Sequence, residues 1–315
     1  MPELLCFGEP LIGFYPTQKR SLSEPGEFRM TWGGDTSNVA LAFSKLGRAA
    51  GVITKVGEDG FGRGFLRLWR ENSVSIETVM IDPVHPTGMY LIGFPGDEPE
   101  FDYRRKGSAF SSISVEDVEK ISLEGIRLFH VSGISQAVST SALETSFALL
   151  HRCKEAGVKV SYDLNYRAKL WSRDYARGVF EYTIRNFVDV LSLNALDCDV
   201  LNLTGTPEEL VSELIGRGPE IVVYRAGASG ATIGDGEETL SSPGFNVRIV
   251  DTVGAGDTFT AALLCGLIEG MEMRKLLDFC QAAAAITCQG MGSVENQPSR
   301  KQIKQLLKEQ KNEGP

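Results

Sequence analysis

No apolar run in the 315-residue chain approaches the length needed to cross a bilayer, so a membrane-spanning helix is not expected. Histidine is scarce, at three residues. The six cysteines (Cys6, Cys153, Cys198, Cys265, Cys280 and Cys288) form no CxxC pair and no cluster with histidine, so neither a zinc site nor a disulfide framework is expected. They read as small buried hydrophobes in a reducing compartment. Basic residues are outnumbered, 32 Lys and Arg against 41 Asp and Glu for a formal charge of −9, which argues against general binding to nucleic acid or anionic membrane. A local anion site stays possible. The pattern GxxxxGK[ST] is missing, which removes the P-loop phosphate binders, and so is the GxGxxG spacing of a dinucleotide fold. The start, MPELLCFGEPL, has no basic stretch ahead of an apolar run, and the end, KNEGP, carries no lipidation signal, so a cytoplasmic protein is the expectation.

What the chain has is alternation. Short β-rich runs (LLCFG, GVITKVG, SIETVMI, RLFHVSG, VKVSYDLN, DVLSL, EIVVYRAG) trade with helical patterns over Asp35 to Leu46, about Asp59 to Glu71, and Ser139 to Glu155. That order predicts an α/β fold, a largely parallel sheet covered by helices on both faces, with its site at the C-terminal strand edges. Two aromatic, Gly- and Pro-containing segments, about 10–32 and 87–106, break the pattern and read as hairpin-like strands of a small β-lid on a single domain spanning 1–315. The last stretch, KQIKQLLKEQKNEGP, reads as a solvated terminal helix with a frayed tail.

The stretch DTVGAGDTFTAALLCGL, starting at Asp251, puts glycines and a bare carboxylate before an apolar helix. Periodicity through Phe259, Ala262, Leu263 and Leu267 starts that helix close to Gly254, leaving the amides of Ala255, Gly256 and Asp257 without helical partners. Such a helix start binds anions. Asp257 would repel a phosphate, yet it suits a group that must take a proton from an attacking hydroxyl. Alternatively Asp257 is simply favoured by the helix dipole and the glycines make a turn. A second Gly-rich helix start, TWGGDTSNVALAFSKLG, holds Gly33, Gly34 and Asn38, for which a tight turn and a capping residue are the plain alternative.

Together, WGGDTSNVALAFSKLG and DTVGAGDTFTAALLCG resemble the two signatures of the ribokinase-like, PfkB-type carbohydrate kinases, and the resemblance runs along almost the whole chain. It implies a ribokinase-like α/β/α sandwich with a mostly parallel central sheet and a β-lid, MgATP as donor, and phosphorylation of a primary hydroxyl. It implies Asp257 as catalytic base, an anion hole at Gly254, Ala255 and Gly256, and acceptor contacts from Gly33, Gly34 and Asn38. For the nucleotide side it implies Asn194, Asp197, Arg225, Gly227 and Gly230. Two of these depart from the family pattern: Asp197 stands where Glu is usual, one methylene shorter toward water around Mg2+, and Arg225 stands where Lys is frequent. Asp251, with carbonyls near Ala285, Gly290 and Ser293, resembles the family's monovalent-cation loop and makes K+ a further candidate cofactor.

Within the family, EFDYRRKGSAFSSI, RLFHVSGISQAVS and VSYDLNYRAKLWS resemble stretches of 2-keto-3-deoxygluconate kinases. By that resemblance Tyr90, Tyr103, Arg105, Ile134 and Arg167 line the acceptor site. A guanidinium can grip a carboxylate in bidentate fashion, so two arginines favour a sugar acid over a neutral sugar. The alternatives are a solvated Arg105, an Arg167 that touches ATP phosphate or pairs with Asp163 or Asp174, and tyrosines that merely pack the lid. Arg104, where these kinases often carry a second Tyr, puts the acceptor in question. A fructokinase or other neutral-sugar kinase is the runner-up, and a non-catalytic nucleotide- or sugar-binding regulator is the alternative from another class. Exposed lid strands leave room for a homo-oligomer.

Overall fold

The computed structural model describes residues 1–96 and 100–312. Residues 97–99 of the expected lid segment and 313–315 of the expected terminal tail lie outside the described residues. Among the described residues thirteen strands form two sheets. The strands in chain order are β1 (Leu4–Phe7), β2 (Leu11–Pro16), β3 (Phe28–Gly33), β4 (Ala50–Gly57), β5 (Val79–Asp82), β6 (Met89–Gly93), β7 (Glu100–Arg104), β8 (Leu128–Ser132), β9 (Lys159–Asp163), β10 (Val190–Asn194), β11 (Ile221–Arg225), β12 (Ala231–Gly234) and β13 (Thr239–Ser242). The large sheet runs β13-β12-β11-β10-β9-β8-β1-β4-β5 and the small one β3-β2-β6-β7.

From β11 to β5 every pair in the large sheet is parallel, and only β12 and β13 return antiparallel. Alternation along β1 shows why helices must cover both faces. Leu5 and Phe7 enter a core with Phe129, Leu149 and Phe180, while Leu4 and Cys6 enter the opposite one with Phe43, Leu263 and Cys280. No helix among the described residues is long and apolar enough to cross a membrane.

Helix starts follow their local chemistry. Asp59 caps Gly60–Glu71 by accepting from the Gly62 amide at 2.7 Å, and Ser139 caps Thr140–Ala156, which Gly157 ends in the left-handed region. Helix Ala255–Ile268 is different, because Thr258 through Gly266 are all buried. It is a core helix packed beside Asp35–Lys45, and this pairing brings the two Gly-rich starts together. The small sheet, built from strands within the two aromatic segments, faces the cleft with Leu11, Tyr90, Phe101 and Tyr103.

Candidate active site

A cavity of about 780 Å³ opens between the small sheet and the C-terminal edge of the large one. Glu9 follows β1, Ile134 follows β8, Asp163 ends β9 and Asn165 follows it, and Asn194 and Arg225 close β10 and β11 in direct register. Every expected site residue lines this cavity except Asp197 and Asp251.

Two glycines are dictated by geometry. Gly34 has φ +98°, and a Cβ there would lie 2.8 Å from the Pro10 Cα, with the Glu9 carbonyl closer still. Gly254 has φ +81°, and its Cβ would lie 2.7 Å from the Ser293 carbonyl oxygen. The helix after Gly254 starts at Ala255, as the periodicity requires. The Ala255 amide makes a long turn bond, 3.3 Å, to the Thr252 carbonyl. The amides with no acceptor among the described residues are therefore those of Gly254, Gly256 and Asp257; Ala255 of the expected hole is engaged in the turn, and the Asp257 amide is open instead.

Asp257 lies half-buried on the first turn, and its Oδ2 accepts from Asn38 Nδ2 at 2.7 Å. Asn38 is itself pinned: its carbonyl accepts from Gln297 Nε2 at 2.9 Å, and the Ser293 hydroxyl sits 3.3 Å from its Oδ1. Asn38 thus orients Asp257 across the two helix starts. Burial pushes the Asp257 carboxyl up to about 7, the negative charge of Asp35 adds to the shift, and the Asn38 bond opposes it. Asp35, one residue past Gly34, was given no role from the sequence. It lines the cavity, and its Oδ2 accepts from Asn165 Nδ2 at 3.4 Å. Asn165 holds φ +45°, a conformation that Asn tolerates better than most residues.

The arginines divide. Arg105 is buried, and its Nε donates to Glu9 Oε2 at 2.7 Å, so its charge is already balanced and it is no solvated strand charge. Arg167 donates to the carbonyls of Tyr166 (2.9 Å) and Asn165 (3.4 Å) and has no carboxylate partner among the described residues. The two carboxylates proposed for it are taken, Asp163 by Arg225 and Asp174 by Arg177. Lys169 Nζ donates to the Phe101 carbonyl at 2.6 Å, tying β7 to the loop that carries Arg167.

Asp197 does not reach the cavity. Its Oδ1 accepts from the Tyr166 amide (2.8 Å) and its Oδ2 from the Asn194 amide (3.0 Å), closing a capping box below the floor. With both oxygens engaged and the residue fully buried, it is a positioning group for Asn194 and the Arg167 loop. Asp251 accepts from the amides of Val253 and Gly292, each at 3.0 Å, which makes it the tether of the loop ahead of the hole. Among the described residues no group of three or more His, Cys, Asp or Glu is arranged to hold a metal ion. The cavity's other half is built from residues with no chemical signature, among them Phe245, Ile249, Ala284 and Cys288.

The arrangement is suited to proton removal by Asp257 beside amides free to meet an anion. Below pH about 7, kcat/KM for the acceptor is expected to fall about tenfold per pH unit as Asp257 takes up its proton. In Asp35→Asn the like charge is gone, so the acidic limb moves to lower pH. A pH profile that does not move would remove Asp35 as a cause of the shift.

The family model described as pfkB family carbohydrate kinase matches residues 1–300. The 2-dehydro-3-deoxygluconokinase of Thermoproteus tenax is 29% identical over 313 residues, 98% of this chain and 95% of that protein. Fructokinase-1 of Zea mays is also 29% identical, over 315 residues, 96% of this chain and 97% of that one. The crystal structure of 2-dehydro-3-deoxygluconokinase from Thermotoga maritima matches with a TM-score of 0.88 at 27% identity, over 98% of this chain and 100% of that one.

Proposed function

Because the chain belongs to the pfkB family of carbohydrate kinases, we propose that this sugar kinase transfers the γ-phosphoryl group of MgATP to the terminal hydroxyl of a sugar acid, 2-keto-3-deoxygluconate, giving the 6-phosphate. The observation that carries the mechanism is Asp257 held by Asn38 at 2.7 Å beside unpartnered amides. Those amides meet the phosphoryl group, and Asp257 accepts the proton of the attacking hydroxyl. The bond from acceptor oxygen to phosphorus forms as the bridging P–O bond breaks, and its electron pair leaves with ADP.

The nucleotide lies along Asn194, Gly227, Gly230 and the apolar wall of Phe245 and Ile249; the acceptor lies against Gly33, Gly34, Tyr90, Tyr103, Arg105 and Ile134. Mg2+ suits the donor set, because Asp163 Oδ1 is a buried acceptor without a partner on the cavity wall. Bound with ATP, the ion neutralises phosphate charge. Asp163 and Asn194 would hold it through water. For K+ nothing beyond the resemblance speaks, since both Asp251 oxygens already accept from amides.

A sugar acid is favoured by Arg167, the acceptor-side cation with no carboxylate partner among the described residues. The equal identity to a fructokinase keeps a neutral sugar as the second reading. The test compares kcat/KM for 2-keto-3-deoxygluconate, fructose, ribose and 2-keto-gluconate. Arg167→Ala is expected to cost the sugar acid about 10- to 100-fold in kcat/KM, the loss of one charged hydrogen-bonded contact, and fructose less than about threefold. Equal losses on both would assign Arg167 to phosphate or to structure. A preference for fructose in the parent chain would keep the chemistry and replace the acceptor.

A further inference from the structure

Arg225 ends β11, and its side chain reaches past β10 to β9, where one terminal nitrogen donates to Asp163 Oδ2 at 2.7 Å. Its other terminal nitrogen lies against Gly256, so close that a Cβ at that position would collide with it. The guanidinium therefore borders the amides of the anion hole on one side and is anchored by a carboxylate on the other.

The pair is poorly explained as a stabilising ion pair. Both side chains are nearly buried, yet Arg225 Nε and Asp163 Oδ1 have no hydrogen-bond partner. Burying charge with polar atoms left over costs more than replacing the pair with apolar side chains would. Two unmet polar atoms in side chains that line one cavity point to a ligand that completes the pair's surroundings. The geometry also uses what only arginine has, a planar fork that can bind a carboxylate along one edge and phosphoryl oxygens along another. A lysine at this position offers a single point charge to one partner or the other.

We propose that Arg225 is a catalytic residue that carries negative charge on the phosphoryl group in flight, with Asp163 as the positioning residue that fixes its guanidinium beside the anion hole. The proposal rests on the kinase reading above and deepens it. It also accounts for how three carboxylates, Asp35, Asp163 and Asp257, share a cavity with polyphosphate. Arg105 is held at Glu9 and Arg167 at the Tyr166 and Asn165 carbonyls, and it is Arg225 that lies against Gly256.

The experiment measures turnover and thermal stabilisation in the parent chain, in Arg225→Lys, in Arg225→Met, and in Arg225→Met combined with Asp163→Asn. The double variant removes the unpaired buried carboxylate and so guards against misfolding. MgADP is the ground-state probe, and MgADP with aluminium fluoride is the mimic of the planar phosphoryl group. In Arg225→Met kcat is expected to fall about 100- to 1,000-fold while KM for MgATP stays within about threefold. It keeps the shift in Tm given by MgADP and loses the extra shift given by aluminium fluoride, and Arg225→Lys falls between; the double variant, which also lacks the Asp163 carboxylate, is expected to lose at least as much kcat while its Tm without ligand recovers toward the parent. In Arg225→Ala, millimolar guanidinium chloride restores part of kcat and sodium chloride at equal concentration does not.

Full retention of kcat and of the fluoride-dependent shift in the double variant would overturn the assignment. So would a loss confined to MgADP binding, which would make Arg225 a nucleotide contact only. A parent chain that gains no stability from MgADP and turns over no sugar would overturn the kinase reading itself, and the proposal with it.

Discussion

Asp257→Asn is expected to lower kcat on every acceptor by about 1,000-fold, near the middle of what a positioned general base contributes, with KM for MgATP within about threefold of the parent. The amide is isosteric and its oxygen still accepts from Asn38 Nδ2, so the floor of the site keeps its shape. What it lacks is the capacity to take a proton. Stability is expected to move the opposite way. In the folded chain the Asp257 carboxyl is raised from 3.8 to about 7, chiefly by burial, so the native state binds a proton that the unfolded chain has released. The resulting penalty is absent below the unfolded value, grows between the two values, and is fully present above about 7. Asn carries no such penalty, and the Tm of the variant should exceed that of the parent at pH 8, with the gap closing near pH 4. Lost turnover with gained stability is the signature of a functional carboxylate held against the fold's preference. Turnover within tenfold of the parent would end the assignment of Asp257 as base.

The same tension marks what could be read from the chain. The two helix starts were legible because backbone geometry admits almost nothing but glycine at Gly34 and Gly254. The parallel strands were legible as apolar runs, since a strand covered on both faces needs apolar residues facing both ways. The antiparallel return of β12 and β13 was not, as those strands are four residues each and carry no such run. In the site, the pairings escaped notice. Glu9 and Arg105 are 96 positions apart, Asp163 and Arg225 are 62 apart, and no local spacing tells which acid meets which base. Asp197 was assigned to magnesium water by its place after Asn194, yet capping-box chemistry at the same spacing turns it inward. Asp35 lies within WGGDTSNVALAFSKLG with nothing in the local sequence to mark a role, because only the fold brings its charge near Asp257. The apolar wall of the cavity, with Phe245, Ile249, Ala284 and Cys288, was illegible because its residues are like any others that line a core.

Gly254→Ala separates the two requirements that make that position glycine. The left-handed φ of +81° strains any L side chain, and the new methyl would press on the carbonyl oxygen and the Cα of Ser293, at 2.7 and 2.8 Å. Ser293 is not free to retreat, since its hydroxyl donates to the Trp32 carbonyl at 2.8 Å and lies 3.3 Å from Asn38 Oδ1. Strain and overpacking together are expected to cost about 2–5 kcal/mol of stability. The helix start must shift to relieve the contact, and displacing oriented amides by about 1 Å is expected to cost about 100-fold in kcat. Gly47→Ala is the matched control: Gly47 has φ +84° and nothing within 4 Å of an added Cβ, and it lies away from the cavity. That variant should lose only the backbone term, about 1–2 kcal/mol, with kcat unchanged. If Gly254→Ala matched the control in both readouts, the amides after Gly254 would not be holding the phosphoryl group. If it lost stability as expected but kept kcat, the Ser293 contact would be structural and the anion hole would have to be sought elsewhere in the cavity. A loss of turnover beyond what the control and the fall in stability explain ties that glycine to the chemistry of the helix start it precedes.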